Sequence, residues 1–412
     1  MSRSPAYLAA LASTAVPGLD PVEVQAVLPR PGARFDVGFV VDSQQRHWTV
    51  RVPVAAADGA RQDATVALLG LLARRLPFQV PAPRGFADVP EGRAMVYPHL
   101  TGRPLNLTQL PDGPGLAAEI GRTVAALHNV DRQVFDEAGV PAYDADTCRS
   151  RHLTELDRAA ATGHVPTGLL ERWERALEDV TLWRFAPVPT HGRVDGRALL
   201  AVFDSEADAS SGHIRAMTGW EHAQVGDPAD DLAAVVGEAS PAAVESVLES
   251  YANARIERPD PHLMRRAILV SELHLLDELL AAATAGDGPL VRELSAALGR
   301  MDERTEGDSR LAPPSPPVVP EPPVLSLVAV GGEPVESAED SQAATEGDSP
   351  GKEADSPGTT QEIPEHQLAK VRGLLDEPSE QADQPPPNGS PLKPTVNEAS
   401  PTASQDPDPQ SS

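Results

Sequence analysis

The sequence predicts an α+β fold of two lobes, a small antiparallel sheet with a helix followed by a mainly helical lobe, and then a disordered C-terminal tail. Three observations predict it. Period-two alternation of apolar residues is clearest in the first hundred residues. Apolar residues at helical spacing dominate from about residue 116 to 298. Composition then shifts: residues 304–412 hold 20 of the 43 prolines, no Phe, Trp or Tyr, and 20 acidic against 6 basic residues. The expected divisions are an N-terminal helix and N-lobe over 1–97, a helical C-lobe over 98–303, and an acidic Pro/Ser-rich tail over 304–412.

Each element has its own signal. Residues 5–16 are Ala-rich with little strong apolar character and end at Pro17-Gly18, which predicts a short helix and not a signal h-region. Phe35 to Val54 predict a hairpin, with Val37, Phe39 and Val41 on one face, a turn near 43–46 and a return strand over 47–52. Val66, Leu69, Leu72 and Leu76 repeat at helical spacing and stop at Pro77. Residues 94–97 form a third strand and 101–104 a turn. Leu116, Ile120, Val124 and Leu127 make one helical stripe, 169–182 another, and 263–298 two more. The stretch 217–220 reads as a strand. The tail buries too little apolar area to offset its ordering entropy. Within it, Leu368, Val371, Leu374 and Leu375 share a helical face between Pro364 and Pro378, which makes 364–376 a candidate partner-binding segment, or else a transient helix without a partner.

Charge and cysteine usage exclude several classes. A net charge of −27 argues against nucleic acid or an anionic membrane as partner, since both select a basic face. Cys148 is the single cysteine, so neither an intrachain disulfide nor a thiolate cluster forms, and a reducing, cytoplasmic location fits. No run approaches the roughly 20 apolar residues of a membrane span. His213, His222 and His274 lack ligand spacing, and no metal site is expected. His128 and His191 read as hydrogen-bonded structural histidines.

The chemistry-bearing stretches are Val188-Pro189-Thr190-His191-Gly192-Arg193-Val194-Asp195-Gly196-Arg197-Ala198-Leu199-Leu200 and Thr218-Gly219-Trp220-Glu221-His222-Ala223-Gln224-Val225-Gly226-Asp227-Pro228-Ala229-Asp230-Asp231-Leu232-Ala233. With Trp48-Thr49-Val50-Arg51-Val52-Pro53, the link 75–81, the hinge-like 96–105 and Ala125-Ala126-Leu127-His128, they resemble, in order and spacing, the aminoglycoside and macrolide phosphotransferase family. The resemblance covers roughly 20–300 and implies a protein-kinase-like fold. It implies a catalytic loop of pattern H-G-D-x-x-x-x-N, a strand I-D-W-E, and ATP with Mg²⁺ as cosubstrate.

The departures fall on the functional positions. Arg193 replaces the catalytic Asp, Ala198 the metal-binding Asn, and Gly219 the metal-binding Asp. Arg51 takes the place of the phosphate-binding lysine, and residues 1–303 contain no lysine. Thr65 stands where the family offers a carboxylate to that cation, with Asp63 as an imperfect substitute. His191, Gly192, Trp220, Asp227 and Asp231 keep the family pattern and are expected to shape the loop. Asp195 is a candidate shifted base, or else a solvated loop carboxylate. Glu221 is a candidate metal ligand, or else an acidic residue the family already carries. Arg193 and Arg197 make an anion site, or else pair with surface acids.

Three functions remain open on the sequence. The first is a catalytically impaired relative, a pseudokinase serving as a binding or regulatory module, with no cofactor. The second is an active ATP-dependent phosphotransferase on a small hydroxyl-containing molecule, with ATP and Mg²⁺. The third is an adaptor whose tail captures a protein. A small-molecule or nucleotide ligand would enter the cleft between the lobes.

Overall fold

The protein, seen here as a computed structural model, is described over residues 3–28, 33–205 and 208–312. The segment 364–376 and nearly all of the tail expected to be disordered lie outside the described residues. In the first lobe, helix α1 (Pro5–Ala15) is capped by the Ser4 side chain, which accepts from the Tyr7 amide, with Pro5 pre-set for the first turn. It buries Leu8, Leu11, Ala12 and Ala15 against one face of a sheet. The strands are β1 (Pro21–Ala26), β2 (Phe35–Asp42) and β3 (His47–Pro53), then, after helix α2 (Ala56–Leu72), β4 (Gly85–Val89) and β5 (Gly92–Pro98). Their order is β1-β2-β3-β5-β4, antiparallel throughout.

Register sets which side chains look toward the second lobe. Phe39 faces Thr49, which faces Tyr97; Val37 faces Arg51, which faces Met95. With alternation of two, Phe35, Phe39, Thr49, Arg51, Met95 and Tyr97 share one face. Val40, Trp48, Val50, Val52, Ala94 and Val96 fill the other, under α1.

The second lobe begins with a two-residue strand, β6 (Arg103–Pro104), paired with β8 (Leu199–Phe203); the turn expected at 101–104 therefore ends as a sheet edge. Helices α3 (Leu116–His128), α4 (Arg132–Ala138), α5 (Ala145–Ala160) and α6 (Thr167–Glu178) follow. Then come β7 (Val188–Thr190), β8, β9 (Gly212–Met217) and β10 (Gln224–Gly226). The lobe closes with α7 (Ala233–Glu238), α8 (Pro241–Ala254), α9 (Leu263–Ala285) and α10 (Gly288–Thr305). The stripe Leu116, Ile120, Val124 and Leu127 is fully buried in the main core. No helix among the described residues is long and apolar enough to cross a membrane.

Four expectations shift. Two further strands, β1 and β4, flank the expected three. The buried stripe of α2 is Thr65, Leu68, Leu69 and Leu72, and the helix stops before Leu76. The strand expected over 217–220 ends at Met217, because Gly219 turns the chain with a φ of +86°. The folded chain also passes residue 303: α10 runs to Thr305, Arg172 donates to the Asp308 carbonyl (2.7 Å), and Leu311 is buried. A composition window averages over such a single anchor.

Candidate functional site

Strand β7 delivers the chain into the loop 191–198, which returns as β8. Asp231 is fully buried beneath this loop, in a single helical turn (Pro228–Asp231) that Asp227 caps by accepting from the Ala229 amide. The Asp231 carboxylate accepts from two successive backbone amides, His191 (2.8 Å) and Gly192 (2.7 Å), and from His128 Nε2 (3.1 Å). Gly192 has a φ of +83°, and a Cβ there would lie 2.1 Å from the His222 carbonyl oxygen, so only glycine fits. His191 Nε2 donates to the Thr218 carbonyl (2.8 Å), and its ring meets the edge of Trp220 at 4.9 Å. Trp220 in turn donates to the Met217 carbonyl (2.9 Å). His191, Gly192, Trp220, Asp227 and Asp231 thus lock the loop to the strand after it.

The side chains on this scaffold have partners within the chain. Arg193 runs toward α9, its guanidinium 3.4 Å from Glu278. Asp195 is turned back into its own loop, where one oxygen accepts from the amides of Arg197 and Ala198, both at 2.9 Å. That is a turn-forming use of a carboxylate. Ala198 is buried, and its carbonyl accepts from the Thr218 amide (2.9 Å). Ala198 therefore pairs with the residue before Gly219, and neither Ala198 nor Gly219 carries a metal-binding atom in its side chain. No group of three or more His, Cys, Asp or Glu among the described residues is arranged to hold a metal ion.

Arg51 and Glu221 meet across the lobes. Arg51 donates to the Glu221 carboxylate, and its guanidinium lies over the Phe35 ring, 3.5 Å from the centroid. Asp63 pairs instead with Arg93 (2.9 Å), and the Thr65 hydroxyl bonds back to the Gln62 carbonyl within its helix. With no carboxylate from α2, the cation takes the one on the C-lobe. Burial pushes the Glu221 carboxyl up, but the charge and hydrogen bond of Arg51 outweigh it and hold the group below the usual range. Tyr97 lies behind the pair, in a buried cluster with Met95, Leu100 and Ala216; burial pushes its hydroxyl up. A second contact crosses beside the first: Arg34 Nη1 is 3.0 Å from His222 Nε2. Burial, Arg34 and Arg193 hold His222 down to about 4, so it is neutral at pH 7 and accepts from Arg34.

Motif reading missed Phe35, Arg34 and His222 as members of this site. The alternation in β2 and β3 was the signal for Phe35, since it shares the face of Arg51.

The pair carries a pH signature. A carboxyl held low in the fold contributes stability that is full above its unfolded value near 4.3 and is lost as pH falls through the folded value. Glu221→Gln is expected to cost about 2 kcal/mol at pH 7. Urea unfolding should show that deficit shrinking toward pH 3; a deficit independent of pH would mean the charge plays no part.

Comparison with known proteins agrees with this geometry. A model of the phosphotransferase enzyme family matches residues 26–266. The Bacillus subtilis (strain 168) protein YcbJ, itself uncharacterised, is 24% identical over 227 residues, covering 52% of this chain and 71% of YcbJ. The macrolide 2'-phosphotransferase MphH of Brachybacterium faecium, in its apoenzyme crystal structure, is 27% identical with a TM-score of 0.57, covering 73% of this chain and 96% of MphH. A type I macrolide 2'-phosphotransferase is 23% identical with a TM-score of 0.60, over 72% and 98% of the two chains. The GDP and kanamycin complex of an aminoglycoside phosphotransferase, APH(2'')-IIIa, is 16% identical with a TM-score of 0.61, over 73% and 99%. The two-lobed fold is the kinase-like fold of these enzymes. The family match spans more than half of the chain, and this protein belongs to the phosphotransferase enzyme family.

Proposed function

We propose that this chain is a catalytically impaired member of its family, a pseudokinase that works as a binding or regulatory module. The observation that carries the reading is the ion pair of Arg51 with Glu221, at the corner where the family holds phosphate and metal. Phosphoryl transfer requires a cation free to hold the nucleotide phosphates, carboxylate or amide ligands for Mg²⁺, and a carboxylate aimed at the attacking hydroxyl. Here the cation is neutralised by Glu221, Ala198 and Gly219 offer no ligand, and Arg193 stands at the base position. The residues present do not fit magnesium ATP, and no transfer step is assigned to them. Loss of the base alone removes about 10²–10⁴-fold in rate.

The macrolide and aminoglycoside phosphotransferases it resembles fix the class of reaction from which the scaffold departs. The retained loop architecture supports a role in which shape and not turnover is kept.

Thermal-shift titration with ATP, with and without Mg²⁺, tests the reading. The expected result is no magnesium-dependent stabilisation. A magnesium-dependent shift accompanied by ATP turnover overturns it and restores an active enzyme.

A further inference from the structure

A cavity of about 320 Å³ opens on the C-lobe side of the loop, away from the Arg51–Glu221 corner. Arg193 and Arg197 project from the loop into its lining; Glu238 of α7 with His274 and Glu278 of α9 face them, over a floor that includes Leu107 and Ala234. Two guanidinium groups of one loop thus converge on one cavity. They are also poorly used. The Arg197 side chain is exposed and makes no hydrogen bond or close ion pair among the described residues, and the one ion-pair partner of Arg193 there, Glu278, is half-exposed at 3.4 Å.

We propose that this cavity is an anion-binding site, in which Arg193 and Arg197 grip the carboxylate or phosphate group of a small molecule. The inference rests on the reading of the loop as non-catalytic, and deepens it by giving that loop a ligand.

Guanidinium suits the task. It presents paired N–H donors that match carboxylate and phosphate oxygens two at a time, and it stays charged at any working pH. Of the three carboxylates in the lining, only Glu278 makes an ion pair with either guanidinium among the described residues. Asp195 is spent on the amides of residues 197 and 198. Glu278 lies at the solvent edge, where its contact with Arg193 is weak and exchangeable. Glu238 is exposed, where burial and the charge of Asp195 push its carboxyl up against the opposing pull of Arg197. His274 adds no positive charge at pH 7; burial and Arg193 hold it down to about 4, leaving it a neutral hydrogen-bonding group. The apolar floor gives the rest of the ligand a surface.

Isothermal titration with inorganic phosphate and with succinate tests the site on the full chain. At least one probe is expected to bind saturably in the millimolar range. Arg193→Gln or Arg197→Gln should each weaken it about tenfold or more, and the double variant should abolish it. Arg184→Gln, at an exposed arginine outside this cavity, should leave binding unchanged. Both arginines of the cavity are at least partly exposed, and circular dichroism melting of each variant confirms that it folds. Phosphate alone binding identifies a phosphate monoester as the ligand class; succinate alone identifies a carboxylate. Absence of binding by either probe up to about 50 mM, or equal binding by the double variant, overturns the proposal. Magnesium ATP is titrated in parallel. Magnesium-dependent binding with ATP turnover by the parent overturns the non-catalytic reading, while the arginine variants still decide the anion site.

Discussion

Arg266→Ala is expected to lower the stability of the folded unit by about 3–5 kcal/mol, the range for removing one partner of a buried ion pair. Arg266 lies on α9 with no solvent exposure. Its Nε donates to Asp227 (2.7 Å), Nη1 to Asp260 (2.7 Å) and to the Leu182 carbonyl (3.1 Å), and Nη2 to Asp260 (2.8 Å). The Phe185 ring closes over it at 4.4 Å from the centroid. Truncation strands the Asp227 carboxylate with only the Ala229 amide, and leaves a carbonyl without its donor. Asp227 caps the turn that carries Asp231, and Asp231 holds the loop amides. The damage should therefore reach the loop, not α9 alone. Arg266→Lys keeps the charge but loses the fork, and should cost roughly half as much. Burial pushes Asp260 up, yet its bonds to Arg266 outweigh this and hold it below the usual carboxylate range. Part of the parent's advantage is thus present above pH 4 and lost on acidification, so the gap to the Ala variant should narrow toward pH 3. Urea unfolding at pH 7 and pH 3 measures both; a cost under 1 kcal/mol would mean water reaches Asp227 freely.

This network shows where sequence stops being informative. Asp227 was legible as a turn residue from Gly226-Asp227-Pro228, because turn chemistry is local. Its partner Arg266 lies 39 residues on, in a helix whose other residues account for its apolar stripe. Nothing local distinguishes it from the surface arginine Arg258. The same division runs through the fold. The hairpin over 35–54 and the stripe of α3 were legible because alternation and helical period are strong there. Strand β1 was not, since it is a short edge strand opened by a proline, and α2 was misplaced because its buried side uses Thr65 and Gln62 as well as leucines.

At the site, the loop's scaffold was legible residue by residue, because His191, Gly192, Trp220 and Asp231 have fixed geometric tasks within one motif. The partners of the departing residues were not. Glu221 could be read as a candidate metal ligand or as an acidic residue the family already carries; its partner Arg51 comes from the other lobe and from 170 residues earlier. The sequence did hold half of the answer, in Thr65. A helix that offers no carboxylate leaves a half-buried guanidinium to find one elsewhere, and the C-lobe carboxylate at 221 is the one it reaches.

That pairing sets what rebuilding the site requires. The triple variant Arg193→Asp, Ala198→Asn, Gly219→Asp restores the base and both metal-binding positions, and is expected to gain a magnesium-dependent response to ATP that the parent lacks. Asp at 219 must adopt a φ of +86°, at a cost of about 1–2 kcal/mol, a conformation that Asp tolerates better than most residues. Space is not the obstacle, since a Cβ there meets only the His191 ring at 3.8 Å. The obstacle is Glu221, which keeps Arg51 neutralised and adds a carboxylate beside the incoming phosphates. Adding Glu221→Gln should free the guanidinium and strengthen binding by a further factor of about ten. With ATP at a hundred times its dissociation constant, the fourfold variant should gain about 2.7 kcal/mol, a rise of about 5 °C or more in Tm that disappears with EDTA. If both variants fold and neither responds to magnesium ATP, then the three substituted positions are not what bars it, and the buried cluster of Met95, Tyr97, Leu100 and Ala216 becomes the barrier to remove.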